Sequence, residues 1–171
     1  MDYADQTQQT METQDIYITE LNAMLEKAIK RMNEENPNFV IYTASIWTDK
    51  DAKVSAISFD SKENALQKIE KSNEWDRKKY EKFLAEGDLE QAELFKPEES
   101  DRLYNPADFE WASFEECGHQ TVPIKWYLAL KKFGKSAFEE IVQTANIDKE
   151  KFELGINSNS DWYDKSWSVN K

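Results

Sequence analysis

Glu115-Glu116-Cys117-Gly118-His119 is the one stretch of this 171-residue chain in which carboxylates, a thiol and an imidazole crowd together. Such groups could hold a metal ion or pair a nucleophile with a base. A structural zinc site needs four ligands, usually from spaced Cys and His sets, and the whole chain has one Cys and one His. A Cys–His nucleophile and base are brought together by the fold, so closeness in sequence is no evidence for that pairing. Neighbouring carboxylates are unavoidable among 34 acids, and two of them do acid/base work only at a set separation with divergent pKa values. Glycines stand scattered at 87, 118, 134 and 155, so neither a P-loop nor a Rossmann phosphate turn is encoded. No catalytic set, metal site or cofactor is read from these residues. The expectation is a non-enzymatic protein.

The acidity of the chain has a location. From Glu86 to Gly118 eleven acids face only Lys96 and Arg102, and the first twenty residues hold five acids and no base; together these account for more than the net charge of -12. A field of this sign argues against nucleic acid, whose phosphates require Lys and Arg, and suits a basic protein partner. Within the acidic stretch, Phe95, Tyr104, Phe109, Trp111 and Phe114 interleave with the carboxylates. Aromatic anchors ringed by charge are typical of interfaces. The candidate partner-binding set is Asp88, Glu90, Glu93, Glu98, Glu99, Asp101, Tyr104, Asp108, Glu110 and Trp111. The competing reading buries the aromatics in the core and leaves the acids as a solvated coat.

The elements that must position these groups follow from periodicity. Residues 1–14 are polar without an apolar stripe and read as a flexible leader, followed by a single domain over 15–171. A helix from about Ile16 to Glu35 carries Ile18, Leu21, Leu25, Ala28, Ile29 and Met32 on one face, and Asn36-Pro37 stops it. Phe39–Phe59 reads as two strands around an Asp49-Lys50-Asp51 turn, with apolar groups on both faces of the first. A second helical region begins after Asp60-Ser61, with Ala65, Leu66 and Ile69 inward and a kink or break at Ser72-Asn73. It resumes with Trp75, Tyr80, Phe83 and Leu84, and a short helix then turns Leu89, Ala92 and Phe95 inward.

Phe109–Phe114 reads as a third strand and Pro123 opens a helix with Trp126, Leu130 and Phe133, which Gly134 could interrupt. Phe152–Ile156 suits a short strand. The aromatic tail of Trp162, Tyr163 and Trp167 is either a lid on the core or a docking surface. The fold class expected is α+β, a small antiparallel sheet centred on the 39–59 hairpin and covered by helices. One cysteine permits no internal disulfide, the N-terminus has neither the basic nor the apolar part of an export signal, and no apolar run is long enough to span a membrane. A cytoplasmic location is the expectation.

Three stretches in order resemble a bacterial domain-of-unknown-function family often found in toxin–immunity loci: FVIYTASIWTDKDA, YNPADFEW, and ALKKFGKSAFEEI leading to ELGINSNSD. The resemblance spans roughly residues 16–161. Phe109 stands where that family tends to have tryptophan, and the acidic insert before Asn105 sets this chain apart. The resemblance implies an α+β fold and an immunity protein that occludes a toxin domain, with no catalytic residues to carry over. The face around Asp88–Trp111 would then cover a basic, nuclease-like site. Two alternatives stand beside it: a small carboxylate-using enzyme, and a small-molecule or peptide binder with its pocket between the sheet and the aromatic tail.

Overall fold

A computed structural model describes residues 3–170, with side chains from residue 11 onward. The protein is α+β and divides into two compact units: Met1–Ser61 with Tyr104–Lys171, and Lys62–Leu103.

The first unit contains helix α1 (Tyr3–Glu35), strands β1 (Thr43–Thr48), β2 (Val54–Asp60), β3 (Trp111–Gly118), β4 (Glu153–Ile156) and β5 (Lys165–Ser168). Its remaining helix, Trp126–Thr144, is called α4 because two helices of the other unit precede it in the chain. The strands form one sheet in the order β3-β2-β1-β4-β5. The expected hairpin is its centre, β1 and β2 pairing antiparallel from Thr43↔Asp60 to Thr48↔Ser55. Asp49 makes the turn: its Oδ1 accepts from the N–H groups of Lys53 (2.6 Å) and Val54 (3.0 Å), the self-bonding that favours Asp in tight turns. The sheet is mostly antiparallel but not wholly so, because β1 and β4 run parallel. Parallel neighbours need a crossover, and the chain between them carries α4.

Alternation along the hairpin turns Ala44, Ile46, Ile57 and Phe59 into the main core, where they join Leu154 and Ile156 under α1 and α4. The α1 stripe is as the spacing predicts. Leu21, Leu25 and Ala28 are fully buried, with Ile29 and Met32 nearly so, and each full-sized apolar side chain contributes about 1.5–3 kcal/mol. The helix starts at Tyr3, however, not near Ile16. Residues 3–15 lack an apolar stripe but contain no Gly or Pro, and their Gln, Met and Glu residues propagate a helix once it is nucleated.

Helix α4 runs unbroken through Gly134. Glycine is needed there for space: a Cβ would lie 2.5 Å from the Trp167 ring. Trp167 belongs to β5, which pairs antiparallel with β4 and which the sequence pattern did not reveal. The tail therefore divides, with Trp167 packed on α4, the Tyr163 ring flush against Gly155, and Trp162 68% exposed.

The second unit consists of helix α2 (Lys62–Glu86) and helix α3 (Leu89–Leu94), followed by an extended segment. No break occurs at Ser72-Asn73. Asn73 instead turns its amide toward the extended segment, donating to the Glu98 carbonyl (2.9 Å) and accepting from the Glu98 N–H (2.8 Å). Asp88 caps α3 by accepting from the Gln91 N–H. Phe95 stacks on Phe83 with ring centroids 5.5 Å apart and meets Trp75 edge-on at 5.6 Å. Four residues expected inward lie outward: Leu66, Trp75, Leu84 and Leu89 are 44%, 55%, 41% and 70% exposed.

Candidate functional site

The predicted partner-binding residues fall on both units. On the second, Asp88, Glu90, Glu93, Glu98 and Glu99 are exposed and Asp101 is half-buried. Leu89 and Leu94 stand among these carboxylates, 70% and 72% exposed, and Leu84 lies open at the end of α2. Lys96 approaches Glu93 at 3.8 Å, and Lys79 lies over the Trp75 ring at 5.3 Å. Around α3 this surface places large apolar side chains beside exposed carboxylates. The remaining four residues belong to the sheet-bearing unit. Tyr104 packs edge-on against Tyr163 at 4.9 Å, and Asp108 sits exposed in a single 3-10 turn, Pro106–Asp108. The Glu110 carboxylate accepts from the Ser61 hydroxyl. Trp111 is half-buried against the core, edge-on to Phe39 and Phe114.

The acid–thiol–imidazole stretch that opens the chemical reading leads to a different arrangement. His119 meets residues remote in sequence: its Nδ1 lies 2.5 Å from Glu20 Oε2 and its Nε2 lies 2.6 Å from Ser55 Oγ. From Ser55 the chain of contacts continues to Thr48 Oγ1 at 2.6 Å and on to Tyr17 Oη at 2.7 Å. Carboxylate, imidazole and hydroxyl thus stand in the order and spacing used by Ser-dependent hydrolases. Accessibility separates the two cases. Ser55, Thr48 and Tyr17 are fully buried, and the His119 side chain is as well. The Ser55 hydroxyl is held between His119 and Thr48, with no open face toward solvent for a substrate carbonyl.

Proton directions in this chain are consistent one way along its whole length. One such run is Tyr17 to Thr48, Thr48 to Ser55, Ser55 to His119 Nε2 and His119 Nδ1–H to the Glu20 carboxylate, every contact being within hydrogen-bond distance and every hydroxyl able to donate in either direction. Burial pushes the Tyr17 hydroxyl up to about 12, so it remains a donor at neutral pH. Burial, with the Glu20 carboxylate adding to it, raises the Cys117 thiol to about 11. Cys117 is therefore a protonated thiol beside the relay, not a poised nucleophile. The relay ties α1, the hairpin and the end of β3 together.

Nearby, Glu115 receives Lys27 (2.5 Å) and Arg31 (2.6 Å) from α1. Burial alone would raise its pKa, but the hydrogen bonds from those two cations outweigh burial and lower it. Among the described residues no group of three or more His, Cys, Asp and Glu side chains is placed to hold a metal ion.

A groove of about 520 Å³ opens where the end of β1 and its turn meet loop 157–162. Trp47 and Trp162 line it, their rings edge-to-face at 6.4 Å, together with Lys50, Asn159 and Asp161. The loop is anchored by Asn157, whose buried amide accepts from the Thr48 N–H (3.0 Å) and donates to the Thr48 carbonyl (2.8 Å). Ser158 then closes a turn by accepting from the N–H groups of Ser160 and Asp161. Sequence reasoning singled out Trp162 as part of an aromatic tail but had no signal for Trp47 as its partner, since the pair forms only in the fold.

No family model, curated protein or solved structure matches this chain. Among the described residues no helix is long and apolar enough to cross a membrane.

Proposed function

We propose that this protein is a non-enzymatic interaction protein that binds a basic protein partner through the helical unit Lys62–Leu103. One observation carries this reading: Leu89 and Leu94, 70% and 72% exposed, flank the exposed Glu90 and Glu93 on α3. Burying two leucines and the neighbouring Trp75 indole supplies binding energy, while the carboxylates steer a cationic partner and disfavour wrong ones. The finer reading is an immunity protein that occludes a toxin domain, in line with the order of motifs in the chain. Occlusion needs no catalytic group, only a surface that outcompetes the substrate of the partner.

The test is co-expression with the product of the neighbouring gene. The expected outcome is a complex that purifies intact, with the neighbour toxic when expressed alone. Leu89→Ser combined with Glu90→Lys and Glu93→Lys should weaken that complex by about 100-fold or more, since exposed anchor residues each carry about 2 kcal/mol or more. A complex whose affinity survives the triple change refutes the proposed surface. Absence of both complex and toxicity removes the immunity reading.

A further inference from the structure

We infer that α4 carries a docking surface for a second copy of this chain, which it engages through the acidic, leucine-bearing surface of α3. The inference rests on the reading of α3 as a docking surface and adds a second occupant for it.

The sequence supplies the first half of the argument. Although 34 of the 171 residues are Asp or Glu, residues 117–138 contain four lysines and no acid. Packing then decides where those lysines lie. Trp126, Leu130, Phe133, Ala137 and Ile141 belong to the buried face of α4. Lys125, Leu128, Lys132 and Lys135 follow one another at three- and four-residue steps and are all exposed. Lys131 is held by Asp164 at 2.9 Å. Among the described residues, Lys125, Lys132 and Lys135 have no ion-pair partner. Ile124, just ahead of the helix, is 97% exposed, and Leu128 is 50% exposed. The start of α4 is thus a basic surface with two open aliphatic side chains, in a chain of net charge -12.

Charge and apolar content together select the occupant. Membrane and nucleic-acid surfaces are held by larger basic sets, about 4–8 Lys or Arg for an anionic bilayer, and the summed negative charge of the chain opposes both. A locally acidic protein surface with apolar side chains of its own is the better match. The chain displays one: Leu89 and Leu94, 70% and 72% exposed, beside the exposed Glu90 and Glu93. Lysines then meet carboxylates, and Ile124 and Leu128 meet two leucines, an apolar centre within complementary charge.

The two surfaces differ, so the contact is heterologous: α4 of one copy meets α3 of the next, and copies add head to tail. Such a contact covers the surface offered to a basic partner, and self-association competes with partner binding.

The experiment is sedimentation velocity of the full chain from low micromolar to submillimolar concentration. The parent should associate as concentration rises, and less so at high salt. Leu128→Ser with Lys132→Glu, and separately Glu90→Lys with Glu93→Lys, should each weaken association by about tenfold or more. An equimolar mixture of the two variants should form a 1:1 complex of parental affinity and grow no further, because each keeps the surface the other has lost; a misfolded variant could not restore it. A parent that stays monomeric throughout overturns the inference, as does association that survives either double change or a mixture that does not pair. Binding of the α4 surface to phosphatidylserine vesicles by a parent that stays monomeric also overturns it. If the parent stays monomeric while the α3 variant loses the product of the neighbouring gene, this inference falls and the partner reading stands. If the parent associates as described while the α3 variant keeps that product, the partner reading falls and this inference stands.

Discussion

The two units reach a stable arrangement by different means. Helix α4 buries seven of its 19 residues against the sheet, whereas α2 buries only Ala65 and Asn73 among 25. One unit is held by a continuous apolar core and a buried relay of hydroxyls. The other is held by one aromatic cluster around Phe95 and an asparagine clamp, and it leaves leucines and tryptophan in solvent. Burial secures a fixed geometry but removes side chains from use. The thinner unit keeps Trp75, Leu89 and Leu94 exposed, and local stability is lowest where few apolar contacts are made.

Glycine offers the sharpest way to break this contrast. Gly134→Val in α4 drives methyl groups into the Trp167 ring, already 2.5 Å from a built Cβ. It should destabilise the protein by about 3 kcal/mol, read as a lower midpoint in thermal or urea unfolding. Gly87 precedes α3, with φ +75° and nothing within 4 Å of a built Cβ. Gly87→Ala should therefore cost only the left-handed backbone penalty, about 1–2 kcal/mol. Equal losses at both sites would contradict the packing difference.

Tyr17→Phe removes the first donor of the relay and should cost about 1–2 kcal/mol at neutral pH. Its effect reverses in alkali. Burial holds the Tyr17 pKa at about 12 in the folded protein against the ordinary 10, so above pH 10 the unfolded chain releases a proton that the folded one retains. The parent protein should lose stability as pH rises from about 10 through about 12, by up to about 2–3 kcal/mol. Tyr17→Phe should lack that loss, which unfolding curves at pH 9 and pH 11 would reveal.

The two asparagine clamps give the finest comparison. Asn157→Ala unties the loop from β1 and should lower global stability by about 1–2 kcal/mol. Asn73→Ala should cost about 1 kcal/mol, with its effect confined to Lys62–Leu103. Hydrogen exchange distinguishes them: Asn73→Ala should speed exchange in α2 and α3 while β1 and β2 stay protected.

Which of these features the sequence announces depends on their range. The α1 stripe and the central hairpin are local periodicities, and the fold contains both. The early start of α1 escaped because a helix needs no apolar stripe where nothing breaks it. Strand β5 escaped because Lys165–Ser168 holds one apolar side chain, Trp167, whereas the equally short β4 carries Leu154 and Ile156. The division into two units has no signal at all, since β2 ends at Asp60 and α2 begins at Lys62 without a glycine or proline linker. The acidic, leucine-bearing surface was partly legible as composition, although Leu89 and Trp75 were assigned inward. The His119 relay was not legible, because Glu20, Ser55 and His119 meet only after three elements have packed.

The parallel pairing of β1 with β4 joins Thr43 to Glu153, and a ribosome adds about 5–20 residues each second. Several seconds therefore separate the birth of the central strand from that of its neighbour. β3, on the other side of the hairpin, also arrives only after α2 and α3 have been made. Through that interval the nascent chain carries a two-stranded ribbon with both margins bare, the condition in which strands find foreign partners. The helices made in the meantime depend on contacts near in sequence, so α2 and α3 leave the ribosome complete before the sheet does.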